Sequence, residues 1–257
     1  VISATWYLTL RSLRAFVRQP YFLAITLTQP VIWLLLFGQL FHRVTDIPGF
    51  GAHGNSYIAY LTPGVIVMTA VFSNSWSGMA LITDMQRGVL DRFLTTPAPR
   101  GALIVSTLVY QGVLATIQSL IIVALGLITG ARFPGGLLVW VAFLLCTNLM
   151  GSAMASLSNA TALLTRQEES VIGTSTFLTL PLTFLSTAFL PAGLVPGWIG
   201  DISRYNPVNW AVVAGRQTIV SHVDWSLVGT RLGLLFAVAV VCATLSTRAF
   251  GAYRRAI

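Results

Sequence analysis

The sequence predicts an all-α polytopic membrane protein. It reads as six transmembrane helices, an N-terminal interfacial amphipathic helix, and re-entrant or interfacial helices before the last span. Three observations carry this reading. Of the 257 residues, 55% are hydrophobic and only 9% are charged, where soluble domains carry about 25% charged residues. Mean hydropathy is +0.79. The charges are gathered into short islands between apolar runs, and the two runs flanking the largest island are each long enough to cross a bilayer.

Residues 1–19 read as the interfacial helix. Trp6, Leu10, Leu13 and Val17 share one face, and Arg11, Arg14 and Arg18 share another. That pattern suits a helix at the headgroups, or else a charged flank that sets orientation. Gln19-Pro20 breaks it. The first span is expected at 21–41, with Pro30 at its middle. A Gly-rich polar loop follows over 42–56. It holds His42 and His53, eleven residues apart with no cysteine beside them, so a metal site is not indicated.

The second span is expected at 57–81. Its second half holds Ser73-Asn74-Ser75-Trp76-Ser77-Gly78. Such a cluster in lipid faces either another helix or a watered path. Next comes the largest charged island, within 82–101. Asp84, Arg87 and Asp91 recur at helical spacing, joined by Gly88, Arg92 and Arg100, and Pro97 and Pro99 end the helix they imply. A helix squeezed between two spans is either a passive surface loop or a handle for a soluble partner.

The third and fourth spans are expected at 103–129 and 137–163, joined by the tight turn Gly130–Gly136. Gly151 and Ala155 form a small-xxx-small pair suited to close helix approach. Arg166-Gln167-Glu168-Glu169 is a second charged turn, with each sign at the helix end that favours it. The fifth span, expected at 170–188, places Thr176, Thr179, Thr183, Ser186 and Thr187 on one face. Hydroxyls can bond back to their own helix, so this stripe marks either packing or a pathway.

Residues 189–226 are cut by Pro191, Pro196 and Pro207 and carry Trp198, Tyr205, Trp210 and Trp225. Each apolar piece is too short to cross, which points to a re-entrant or interfacial element on the extracytoplasmic side. The last span is expected at 227–247, followed by a basic tail. The whole of 1–257 is thus one transmembrane domain, with no internal repeat.

Ten arginines fall at 1–20, 82–102, 163–169 and 248–257, against four in the loops of the other side. The positive-inside rule then puts both termini and the large island on the cytoplasmic side of the membrane. The net charge of +8 reflects this bias and anionic headgroups, not nucleic acid. All fifteen basic residues are arginine, which reads as a GC-rich genome. Cys146 and Cys242 both fall in apolar spans, so no disulfide framework is indicated. No cleavable signal peptide is read at the start, and the first residue, Val1, suggests that further residues precede it.

No catalytic or metal constellation is present, and a chain without lysine cannot carry a Walker A loop. All seven carboxylates map to loops or span ends, whereas ion-coupled pumps need one inside the membrane. Energy for transport would therefore come from a separate ATPase, and the chain is not itself an enzyme.

Three stretches resemble permease subunits of the type 2 ATP-binding-cassette (ABC) exporters, especially actinobacterial drug-efflux permeases of the daunorubicin-resistance kind. They are D-M-Q-R-G-V-L-D-R-F-L-T-T-P-A-P-R at 84–100, T-R-Q-E-E-S at 165–170 with L-P-L-T-F-L-S-T-A-F-L-P, and P-G-W-I-G-D-I-S-R-Y-N-P-V-N-W-A-V-V-A-G-R at 196–216. Where that family often has Glu two residues before the island glycine, this chain has Gln86. The resemblance implies two permeases, as a homodimer in the bilayer, over two copies of an ATPase that holds ATP and magnesium. No cofactor is implied for this chain. ATPase coupling would fall to Arg11, Arg14, Arg18, Asp84, Arg87, Gly88, Asp91 and Arg92. The substrate pathway would be lined by Asn74, Ser77, Thr176, Thr179 and Thr183. The implied substrate is a small amphipathic drug or lipid, exported in multidrug efflux or antibiotic resistance. A polysaccharide or glycolipid exporter shares the fold, and a non-transporting scaffold subunit is the other alternative.

Overall fold

The computed structural model describes residues 20–43, 56–88 and 101–255. These residues are helical, with no strand among them. The helices are α1 (Pro20–Ile32), α2 (Gly38–Leu40), α3 (Tyr57–Ser75), α4 (Ser77–Gln86) and α5 (Gly101–Ile128). They continue as α6 (Leu137–Thr165), α7 (Glu168–Phe184), α8 (Gly197–Tyr205), α9 (Pro207–Arg216) and α10 (Trp225–Arg255). The N-terminal helix expected over 1–19, most of the 42–56 loop and the second half of the large island lie outside the described residues.

Four segments are long and apolar enough to cross a membrane: 57–86, 105–128, 137–165 and 225–253. They match the expected second, third, fourth and last spans. The other two expected spans are shorter or interrupted. The first is a run of α1, a π-helical turn over Trp33–Phe37, and α2. The fifth, α7, has 17 residues and ends at Phe184, four residues early. At 1.5 Å per residue it is about 26 Å long, below the ~30 Å hydrocarbon thickness. Ser186 and Thr187 therefore belong to the turn after α7.

The centre is α3. Leu61, Ile66, Val67 and Val71 are fully buried, and nearly every residue of the helix is covered. A helix apolar all round is suited to such a place. Ser56 caps it, its Oγ accepting from Ala59 N–H at 3.3 Å. Helices α5, α6 and α9 pack around α3, and α10 lies along α6.

The second span is one apolar run but two helices. The break follows from its own polar residues. Asn74 and Ser75 donate back to the carbonyls of Ala70 and Val71, both at 2.7 Å. Ser175 Oγ donates to Ser75 O at 2.5 Å. Within a continuous helix that carbonyl would accept from Met79 N–H, which instead turns to Trp76 O at 3.1 Å. A side chain has entered the helical ladder, a recognised cause of kinks. The indole of Trp76 is left 42% exposed at the bend.

At the far end of α6, Arg166 caps the helix in the left-handed conformation (φ 57°). Its guanidinium lies 4.6 Å from the centre of the Tyr253 ring on α10. Glu168 and Glu169 then open α7, where the positive end of the helix dipole favours them.

Candidate coupling end and membrane cavity

Helix α4 ends one turn into the large island. Arg87 N–H bonds to Thr83 O at 3.1 Å and Gly88 N–H to Met85 O at 3.0 Å, with Gly88 at φ +65°. That left-handed glycine stops the helix, so Gly88 has a structural reason to be glycine. Asp84 is half-buried and Arg87 exposed. Gln86 Nε2 donates to Glu168 Oε1 at 3.3 Å, tying the two charged turns together. The described residues hold a single ion pair, Arg204–Asp201 at 3.8 Å, at neither of these turns. Of the eight expected coupling residues, Asp84, Arg87 and Gly88 are thus gathered at one end. Arg11, Arg14, Arg18, Asp91 and Arg92 lie outside the described residues.

The five expected pathway residues separate. Ser77 donates to Ala155 O and Asn159 Oδ1, both at 3.1 Å. Gly78 N–H donates to Ser158 Oγ at 3.0 Å. Asn74 sits against Gly151, where an added Cβ would lie 2.8 Å from its Nδ2. These contacts form a polar seam between the second span and α6. Thr179 Oγ1 is 2.8 Å from Ser75 Oγ across the facing helices. Thr183 Oγ1 is buried without a hydrogen-bond partner among the described residues. Thr176, by contrast, is exposed, with Phe177 beside it 77% exposed. The hydroxyl stripe of α7 is therefore split, because the buried face runs Val171, Ser175, Thr179, Thr183.

A cavity of about 170 Å³ opens instead on the other side of the second span, between α3 and α1. Trp33, Phe72 and Trp76 supply aromatic surface to it, Met68 adds a thioether, and Gln29 and Ser73 give polar edges. No ionisable side chain among the described residues lines it. Trp33 is held by stacking on Phe37 at 4.7 Å and by Phe189 at 5.1 Å. Sequence reading did not bring Gln29, Trp33 and Trp76 together at one cavity. The available signal was two indoles at mid-run positions, away from the span ends where interfacial tryptophans gather.

A third cluster closes the opposite end. The turn after α7 is tied down by α9. Asn206 Nδ2 donates to Leu182 O (2.7 Å) and Leu185 O (3.0 Å), taking carbonyls left open at the helix end. Asn209 Oδ1 accepts from Thr187 N–H (3.0 Å) and Thr187 Oγ1 (2.6 Å), and its Nδ2 donates to Ser203 O (2.9 Å). Arg216 donates to Thr187 O and Oγ1 and lies 4.1 Å above the Tyr60 ring. Burial lowers its guanidinium from the ordinary arginine value, and Tyr60 and Tyr57 oppose that shift. No group of three or more metal-ligating side chains exists among the described residues.

A bundle of apolar helices, four of them long enough to cross a bilayer, with a polar seam inside, marks a multi-pass membrane protein. Comparison makes the class specific. Residues 3–220 match the family described as the ABC-2 type transporter, and the chain belongs to that family. It is 30% identical over 249 residues to the daunorubicin resistance ABC transporter permease protein DrrB1 of Streptomyces coeruleorubidus, covering 97% of this chain and 86% of that one. It is 31% identical over 213 residues to the putative transport permease ycf38 of Cyanophora paradoxa, covering 81% and 71%. The probable doxorubicin resistance ABC transporter permease protein DrrC of Mycobacterium tuberculosis is 22% identical over 232 residues, covering 90% and 83%. The chain is thus a transmembrane subunit of a type 2 ABC permease.

Proposed function

We propose that the chain is the membrane half of an ATP-driven exporter that moves small amphipathic drugs or lipids from the cytoplasm or inner leaflet. Two copies would pair in a bacterial cell membrane above two copies of a separate ATPase, which carries ATP and magnesium. The first and fifth apolar helices complete six spans, with both termini cytoplasmic. The observation that supports this reading best is the α4 helix. It runs from the bend beside the cavity to the charged island, where Asp84 and Arg87 sit in no ion pair with another described residue. Charged groups at a helix end offer a soluble subunit something to hold.

On this reading the ATPase docks on Asp84, Arg87, Gly88, Asp91 and Arg92, with Arg11, Arg14 and Arg18 beside them. Its closure moves α4. Thr176, which is exposed, would face the path. Asn74, Ser77 and Thr179 hold helices together in the conformation described, Thr183 is buried there with no hydrogen-bond partner among the described residues, and all four would face the path when α4 shifts against α6.

The test begins with a tagged chain drawn from its native membranes in mild detergent, which should bring a Walker A ATPase with it. In vesicles made from that complex, Asp91→Arg is expected to lower ATP-driven export of daunorubicin at least tenfold while ATP hydrolysis persists. Undiminished export by Asp91→Arg would refute the coupling role. Repeated recovery of the permease with no ATPase would refute the exporter reading in favour of a scaffold.

A further inference from the structure

We propose that Arg231, on α10, holds the phosphate of an anionic phospholipid whose acyl chain lies along the exposed apolar stripe of the same helix. No residue of α10 lines the cavity between α1 and α3, and the lipid site stands apart from the exporter reading.

The apolar segment 225–253 carries two charges, Arg231 and Arg248, and no carboxylate. They lie 17 positions apart, about 26 Å along the helix axis and close to the ~30 Å hydrocarbon thickness of a bilayer. Between them the outward face is apolar, with Leu234, Val240, Val241 and Leu245 all exposed. That spacing puts each arginine near one phosphate layer. The residues just before Arg231 fit the same placement, since Trp225, Ser226, Gly229 and Thr230 suit an interface.

The other arginines are paired, stacked or open to solvent. Arg204 pairs with Asp201, Arg216 is held by Thr187 and Tyr60, and Arg166 lies over Tyr253. Arg43, Arg87, Arg132 and Arg248 are exposed. Arg231 is half-buried, yet it makes no hydrogen bond, ion pair or ring contact with another described residue. Leu232 and Leu235 beside it turn into the core with Val208, Ala211 and Val212 of α9. Arg231 thus stands at the edge of the contact between α9 and α10, covered on one flank and open on the other.

Asp224 lies two turns earlier, but its Oδ1 caps α10 by accepting from Leu227 N–H at 3.0 Å. A guanidinium left unpaired at the margin of hydrocarbon is costly, and its long stem carries it towards the interface. Phosphate stands there, and its oxygens match the guanidinium fork. A lipid without an ammonium of its own adds no repulsion, which favours an anionic headgroup. The chain of that lipid would run down Leu234, Val238, Val241 and Leu245, which share a side of the helix with Arg231. From Leu234 to Leu245 is about 17 Å, near the half-thickness that one leaflet's chains fill.

The probe is dioleoylphosphatidylglycerol, added to the full chain purified in an uncharged detergent and stripped of lipid. Thermal unfolding reads the binding, because a ligand that prefers the folded state raises Tm. Wild type and Arg231→Lys are expected to gain Tm with the lipid, and Arg231→Leu to lose at least half of that gain. Without lipid, Arg231→Leu should unfold at the wild-type temperature or above, since it removes an unpaired charge from an apolar span. Arg231→Gln carries the same expectation if Arg231→Leu does not fold. Arg132→Leu, in the exposed turn before α6, should keep the whole gain and so measures general attraction to the surface. An equal gain in the folded Arg231→Leu or Arg231→Gln, an equal gain from dioleoylphosphatidylcholine, or the full gain from glycerol phosphate without acyl chains would each overturn the site. No ATPase or drug takes part, so failure here is distinct from failure of the Asp91→Arg export test.

Discussion

Replacing Gly78 with leucine is expected to remove the folded permease from the membrane. A Cβ at this position would stand 2.5 Å from the carbonyl oxygen of Ser158 and 2.9 Å from its carbonyl carbon. Both belong to backbone, so no rotamer change relieves the overlap. The second span would have to move away from α6, opening the Ser77–Asn159 and Gly78–Ser158 hydrogen bonds and leaving buried polar groups unpaired. Overpacking and lost hydrogen bonds together should cost about 3 kcal/mol or more. Gly173→Ala and Gly229→Ala meet nothing within 4 Å and serve as neutral controls. The measurement is the yield of monodisperse protein after extraction in mild detergent, with thermal unfolding of whatever survives. Wild-type yield and melting from Gly78→Leu would show that the two helices are not in this close register.

The second large effect is expected at Asn209. Leucine has nearly the same shape and none of the hydrogen bonds. Asn209→Leu leaves the Thr187 N–H and the Thr187 hydroxyl without their acceptor in a buried turn, while Ser203 O keeps its bond from the Asn206 N–H. At about 1–3 kcal/mol for each such group, the turn after α7 should loosen by several kcal/mol. The predicted sign is loss of protection in hydrogen exchange over 185–191 and 203–209, with α5 and α6 unchanged. Uniform destabilisation of the entire bundle would contradict this local assignment.

The long spans were legible because apolar length is a local property. The expected 103–129 and 137–163 differ from α5 and α6 by two residues or fewer at each end. The end of α7 was not legible. Its carbonyls are taken by an asparagine 21 and 24 residues later in the chain, and no local pattern announces that partner. The hydroxyl stripe failed for a related reason. Periodicity placed Thr176 and Thr179 near one another, but which flank of the helix meets α3 is decided by tertiary packing, here through Ser75. The polar cluster 73–78 carried two meanings at once. Asn74, Ser75 and Ser77 serve the seam, while Ser73 and Trp76 line the cavity on the other side. Trp33 and Trp76 are 43 positions apart, and only the fold shows that they share a cavity.

The bend at Trp76 also has a mechanical meaning. Gly78 lies so close to the backbone of Ser158 on α6 that a Cβ would overlap it, which makes it a natural fulcrum if α4 turns as a rigid rod. At 1.5 Å per residue, Trp76 lies about 3 Å from that pivot and Gln86 about 12 Å, arms in a ratio near one to four. A stroke of 4 Å at the charged end would then arrive at the indole as about 1 Å, with its force multiplied by the same factor. On the proposed exporter reading, such gearing would bring force rather than reach to the cavity wall.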